Sequence, residues 1–359
     1  MGLPHAGVTS PIPKQTEHLI AALGKRGVEV ETFGWSRRQD NDSAAKRVID
    51  RLADAWRVRR RLASGRFDVL VVMTAHNLTG VMRDLPLSVL TSHRVPVRVL
   101  QFHGSDCDKL VEPGNHALKI FTRLLIKNWA PILVLSHEER RQWLQFAPGA
   151  VVRVTSNPYV RTMFRPTTDA TRTANDRTGG AGYCLTVLFV GRLLTQKGVF
   201  DLVEAFGLAR REVDCSLVMV GDGPEREALS QSVERAGLTP FVKMPGWLAG
   251  DDLREVYLGA DVFVLPSYRE GFPTVIAEAM DAGLPIITTE IRGAADILEQ
   301  ETNVLFVPPG QPEFLAQSLV RLLKDDGLRE HMGTANAQKV TDFEPGAVAD
   351  QFIELLKLR

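Results

Sequence analysis

A chain of 359 residues is too long for one ordinary core and suits two domains of moderate size. Its 44% apolar and 24% charged residues suit a globular protein, and 43 basic against 43 acidic side chains leave no excess charge for nucleic acid. Three cysteines (Cys107, Cys184 and Cys215), odd in number and without CxxC spacing, argue against a disulfide framework or zinc site and for a reduced compartment.

The first residues include Gly7, Thr9 and Ser10, which suit a turn rich in free N–H groups, but no apolar strand precedes them. A helix from about Lys14 carries Leu19, Ile20 and Leu23 on one face and stops at Gly27. Val28 to Phe33 reads as a strand. A doubly wound domain begins with a strand near its sheet centre, ahead of the Gly-rich turn. That first N-terminal strand is expected to be missing here, so that the start lies upstream or the sheet keeps unpaired edges.

Ser43 to about Leu62 is a helical pattern ending in Arg57-Val-Arg-Arg-Arg61 beside Trp56. The basic end complements the helix dipole as a solvated face; the sharper reading is a patch for a membrane surface. Strands follow at Asp68–Met73 and Val97–Phe102. The second runs straight into His103-Gly104, a position where α/β sheets place ligand groups, although a plain turn histidine is the alternative. Asp106-Cys107-Asp108 matches a metal-binding DxD triplet but reads better as a loop or helix cap, and no metal site is expected. Strand Ile132–Leu135, a helix from Ser136 and strand Val151–Val154 complete a first domain over residues 1–160. The Thr-, Arg-, Asp- and Gly-rich stretch after it is a linker, 161–183.

From Leu185 a second α/β alternation begins, giving a domain over 184–340, and the last helix, 341–359, is expected to pack back on the first domain. Four turns fall at the ends of its inferred parallel strands: Gly191-Arg192, Gly221 to Pro224 with Gly223, Gly246, and Ser267 to Gly271. Such ends share one edge, and glycine lets backbone approach a ligand closely. Arg192 and Lys197 add two cations there, suited to a diphosphate as a fork and a point charge; a surface loop is the alternative. The buried run Asp261–Leu265 leads into Glu270-Gly271-Phe272-Pro273-Thr274, where Pro273 suits the first turn of a helix whose free N–H groups favour an anion. Glu270 on the turn and Glu278 two helical turns later are expected to project towards one crevice and accept hydrogen bonds from sugar and ribose hydroxyls. A solvated turn Glu and a helix-surface Glu are the alternative.

Glu270-Gly-Phe-Pro, the gap to Glu278, and Glu278-Ala-Met followed by Gly283-Leu-Pro-Ile-Ile resemble the donor-site signature of family-4 retaining glycosyltransferases of the GT-B fold (glycosyl transferases group 1). The resemblance is dense in the second half; in the first, His18 and His103-Gly104 are its best anchors. It implies an α/β fold of two Rossmann-like doubly wound domains facing across a cleft. It also implies metal-independent transfer of a sugar, with retention, from a nucleoside-diphosphate sugar to an acceptor hydroxyl of a cell-surface glycan or glycolipid precursor. The donor is a substrate, so no cofactor is expected. By the resemblance His103, Arg192, Lys197 and Glu270 are catalytic. Gly7, Gly191, Gly223, Gly246, Gly271, Phe272, Pro273, Thr274 and Glu278 bind the donor. A same-fold nucleotide-sugar epimerase and a non-catalytic nucleotide-sugar-binding protein are the rival readings. With no apolar run near the ~20 residues that span a bilayer and no signal peptide at the start, a cytoplasmic place is expected. Peripheral contact at the inner membrane face around Arg57 to Arg61 would meet a lipid-linked acceptor.

Overall fold

The computed structural model describes residues 2–3, 11–34, 44–162, 184–270 and 274–358. The chain forms two units, Met1–Pro158 with Phe343–Arg359, and Tyr159–Asp342.

The first unit runs β1 (Gly2–Leu3), α1 (Pro11–Gly24), β2 (Phe33–Gly34), α2 (Ala44–Ser64), β3 (Val69–His76), α3 (Leu78–Leu90) and β4 (Val97–Ser105). Then come α4 (Asp108–Val111), α5 (His116–Ile126), β5 (Ile132–Val134), α6 (His137–Phe146) and β6 (Val152–Val154). Its six parallel strands lie in the order β2-β1-β3-β4-β5-β6. Side-chain alternation sorts the strand residues onto two faces. Leu70, Val72, Leu100 and Ile132 pack with α2, α3 and α5 on one face, and Val71, Val99 and Leu133 pack with α1 and the last helix on the other. That last helix (Pro345–Leu356) belongs to the first unit. Phe352 is buried against Leu19 and Leu23, and Arg26 grips Asp350 with two bonds of 2.5 and 2.6 Å.

The expected absence of a first strand needs correcting. Gly2–Leu3 occupies the place between β2 and β3, with Gly2 opposite Phe33 and Val72. Two residues are too few to show as an apolar run. The strand expected over Val28–Phe33 shrinks for the same reason: only Phe33 and Gly34 find a partner in β1. Below them a cavity of about 900 Å³ opens between Val28, Val30 and Phe33 on one side and Val69 and Val71 on the other.

In the second unit β7 (Leu185–Val190) leads through a 3-10 turn (Thr195–Lys197) into α7 (Val199–Ala209), followed by β8 (Cys215–Val220), α8 (Arg226–Arg235) and β9 (Val242–Gly246). Next come α9 (Gly250–Gly259), β10 (Val262–Leu265), α10 (Thr274–Asp281), β11 (Ile286–Thr289) and β12 (Val304–Val307), and α11 (Pro312–Lys324) and α12 (Asp326–Lys339) complete it. The last helix of the chain is α13. The sheet is again parallel, in the order β12-β11-β10-β7-β8-β9. All four residues of β10 and of β11 are buried, as a sheet covered on both faces requires.

Candidate functional site

The strand order of the second sheet locates its site. From β7 the chain winds outward through β8 and β9, then returns to the other side of β7 with β10 and continues to β11 and β12. The reversal lies between β7 and β10, and ligands of open α/β sheets bind beyond the strand ends at such a reversal. The segments there are Gly191–Gly198 after β7 and Pro266–Glu270 after β10.

These loops are held backbone to backbone. Gly191 N donates to Val220 O at 3.0 Å, Gly221 N to Gly246 O at 2.8 Å, and Tyr268 N to Gln196 O at 2.8 Å. Gly221 has φ +135°, and a Cβ on it would stand 1.9 Å from Gly191 O. Gly198 has φ +67°, and a Cβ there would meet Pro266 O at 2.1 Å. Glycine is therefore needed for the approach of neighbouring loops as well as for the turn itself.

Within this frame Lys197 Nζ donates to Glu270 Oε1, and Ser267 Oγ donates to the same carboxylate at 2.8 Å. The pair is largely covered, with Lys197 19% and Glu270 10% exposed at the side chain. Arg192 is exposed on the same loop and makes no ion pair or side-chain hydrogen bond among the described residues. Glu278 lies on α10, where Tyr257 of α9 donates its hydroxyl to Oε2 at 2.7 Å. Burial raises the Glu278 carboxyl above its usual range, and the Tyr257 bond opposes that rise. The same burial, with Glu278 beside it, pushes the Tyr257 hydroxyl far up. The far end of α10 is pinned by Asp281, which accepts from Arg161 at 2.7 Å, Thr162 N at 2.8 Å and Tyr159 at 3.2 Å. Thr274 is the first residue of α10, so its end presents free N–H groups to the loop. Gly223 lies in the turn after β8, Gly246 ends β9, and Trp247 beside Gly246 is 75% exposed. Gly271, Phe272 and Pro273 lie outside the described residues, as does Gly7.

Residues 184–339 match the family model described as glycosyl transferases group 1.

The chain is 37% identical over 153 residues to an uncharacterised glycosyltransferase of Methanocaldococcus jannaschii, a match of 43% of this chain and 39% of that protein. It is 26% identical, over 94% of this chain and 93% of the relative, to the lipopolysaccharide core biosynthesis glycosyltransferase LpsE of Rhizobium meliloti. Against several of the curated relatives, then, this chain spans only about two fifths of their length. Among solved structures, Anabaena HepE in complex with UDP superposes with a TM-score of 0.73 at 18% identity, covering 99% of this chain and 98% of that one. The fold is that of GT-B glycosyltransferases.

Outside the matched residues, the first unit places two histidines on neighbouring strands, and they differ in kind. His76 ends β3 and is satisfied: Ser105 Oγ and Thr122 Oγ1 each lie 3.1 Å from a ring nitrogen, with Phe102 and Trp143 against the ring. His103 lies inside β4 and not in the turn after it. Both its ring nitrogens are buried without a hydrogen-bond partner among the described residues, and so are Gln101 Oε1, Thr155 Oγ1 and Asn157 Oδ1. Burial lowers both imidazoles to about 4, opposed by Asp106 at His76 and by Asn157 at His103. Both rings are therefore neutral at pH 7. Gln101 and His103 belong to β4, whereas Thr155 and Asn157 follow β6, and Asn157 is near enough to the His103 ring to act on it. Sequence reasoning found His103 but neither Asn157 nor Thr155, whose partnerless atoms only the fold reveals. It also missed Ser267 and Tyr257, which orient the two carboxylates.

The other expectations for this unit divide. His18 is exposed on α1. Asp106 pairs with Lys109 at 2.8 Å at the entry to α4, and among the described residues no group of three or more His, Cys, Asp and Glu could hold a metal ion. In the basic run, Arg57 pairs with buried Asp54 at 2.9 Å, Arg59 donates to Leu90 O at 2.8 Å and Arg61 pairs with Glu31 at 2.9 Å. No helix among the described residues is long and apolar enough to cross a membrane.

Proposed function

We propose that the protein transfers a glycosyl group from a nucleoside-diphosphate sugar to an acceptor hydroxyl, with retention at the anomeric carbon and without a metal ion. The acceptor is a precursor of a cell-surface glycan or glycolipid, and the reaction belongs in the cytoplasm. One observation carries this reading: Lys197 meets Glu270 at the β7/β10 reversal, and Arg192, with no ion pair among the described residues, is on the same loop. A diphosphate entering there finds two cations and the free N–H groups of α10, which is what a departing phosphate requires. Lys197 turns to the phosphate, and Glu270, still held by Ser267, is released to accept from sugar hydroxyls. Glu278, fixed by Tyr257, accepts from the ribose. The face of Trp247 suits a nucleobase.

In the transfer, the bond from the anomeric carbon to the β-phosphate oxygen breaks and a bond to the acceptor oxygen forms on the same face. The departing phosphate takes the acceptor proton. His103, neutral at pH 7, is suited to donate or accept a hydrogen bond but not to supply charge. The relatives' names support the substrate class, since LpsE acts in lipopolysaccharide core biosynthesis. HepE binds UDP, which makes UDP-sugars the first donors to try.

The test is turnover of UDP-, GDP- and ADP-sugars in EDTA, with the released sugar followed by NMR. The expected result is slow hydrolysis of one donor, with the first-formed sugar keeping the donor's anomeric configuration. An inverted product, or activity that EDTA abolishes, would contradict the mechanism. Epimerised nucleotide sugar without hydrolysis would assign the site to an epimerase.

A further inference from the structure

We propose that Asp281 is a positioning residue of the donor site: through Arg161, Thr162 and Tyr159 it ties α10 to α9 and so holds Glu278 in place for the ribose. This role rests on Glu278 accepting from the donor ribose, as proposed above.

Asp281 is the last residue of α10, and its side chain is 0% exposed. A carboxylate there faces the negative end of the helix dipole and has lost its water. It persists only where it is paired and hydrogen-bonded. Three donors come from one short stretch at the start of the second unit: Arg161 Nε at 2.7 Å, Thr162 N at 2.8 Å and the Tyr159 hydroxyl at 3.2 Å. The same stretch is gripped from the other helix, since Arg254 of α9 donates from Nε to Thr162 O at 3.1 Å.

Thr162 therefore joins the two helices, its N–H to α10 and its carbonyl to α9. The direct link, from the Tyr257 hydroxyl to Glu278 Oε2 at 2.7 Å, lies one turn away along both. Arg254 and Tyr257 are three positions apart on α9, and Glu278 and Asp281 three apart on α10, so each pair shares a helix face. Tyr159 is close to both carboxylates: burial raises its hydroxyl, and the charges of Asp281 and Glu278 add to that rise. A single link fixes a helix at a point and leaves its direction free. A second link, one turn on, fixes the direction as well. Tyr257 thus orients one oxygen of Glu278, and Asp281 sets the helix that carries it. A binding group displaced by about 1 Å can lose up to about a hundredfold in what it contributes.

The experiment is calorimetric titration of the full chain in EDTA with UDP, GDP and ADP, each beside its dideoxyribose analogue. The unmodified protein is expected to prefer the ribose form of one base by about tenfold or more, as hydrogen bonds to a charged group imply. Glu278→Ala is expected to remove that preference. Asp281→Ala is expected to reduce it to about threefold or less while the dideoxyribose form binds as before. Asp281→Asn, which keeps the shape and one acceptor oxygen, is expected to restore part of it, and it carries the test if the alanine variant does not fold. A preference that Glu278→Ala removes and the Asp281 variants keep would overturn the proposal alone. Equal weakening of both forms by the Asp281 variants would do the same and leave Asp281 a brace of the second unit. A preference that survives Glu278→Ala, or no preference in the unmodified protein, would overturn the ribose role of Glu278 and the proposal with it.

Discussion

Arg192 and Lys197 stand five positions apart on one loop, yet the fold treats them differently. Lys197 is covered and holds the charge of Glu270, whereas Arg192 is exposed and spends nothing on structure. Among the described residues, removing Lys197 leaves a carboxylate that is 10% exposed with Ser267 as its one side-chain donor. Losing one partner of such a pair costs roughly 3 kcal/mol, or about 6 to 12 °C in the melting temperature of a domain this size. Lys197→Ala is therefore expected to lower both donor turnover and the melting temperature. Arg192→Ala is expected to lower turnover with stability unchanged to within about 0.5 kcal/mol. Calorimetry on the two variants separates these roles, and equal melting temperatures would show that the Lys197–Glu270 pair holds nothing together. Tyr257 teaches a related lesson. In sequence it is one aromatic of a helix, and only the packing of α9 on α10 reveals it as the donor that fixes Glu278.

Elements were legible to the extent that their residues carry a pattern. The buried run of β10 and the glycine turns after β7, β8 and β9 could be read because apolar content and glycine are local signals. β1 could not, because a strand of two residues has no period. β4 ran past its expected end because His103 to Ser105 look like a polar turn but continue the ladder beside β3. Glycine at the strand ends also has a function that spacing alone does not show. At Gly221 the φ of +135° and the carbonyl of Gly191 both exclude a side chain. Gly221→Ala is expected to cost about 2 kcal/mol or more and to displace the Arg192 loop, so that donor affinity falls although no ligand group has been removed. Urea unfolding and donor titration of this variant check both; an unchanged stability would mean that the close approach of the two loops is not enforced.

For the whole molecule, the repeated alternation of strand and helix was enough to give two doubly wound sheets, since parallel strands need crossover helices. The strand order was not legible, and it is the order that places the reversal between β7 and β10. Glu270 is far from Arg192 and Lys197 in sequence, and the reversal brings the two loops that carry them to one edge. On the proposed function, this edge holds the diphosphate of a donor. Calorimetric titration of the full chain with UDP, GDP and ADP in EDTA, alongside Arg192→Ala, tests it most directly. The expected result is saturable binding of one nucleoside diphosphate, weakened about tenfold or more without Arg192, as loss of a charge-assisted bidentate contact implies. Binding of none of the three, or binding that Arg192→Ala leaves untouched, would contradict it.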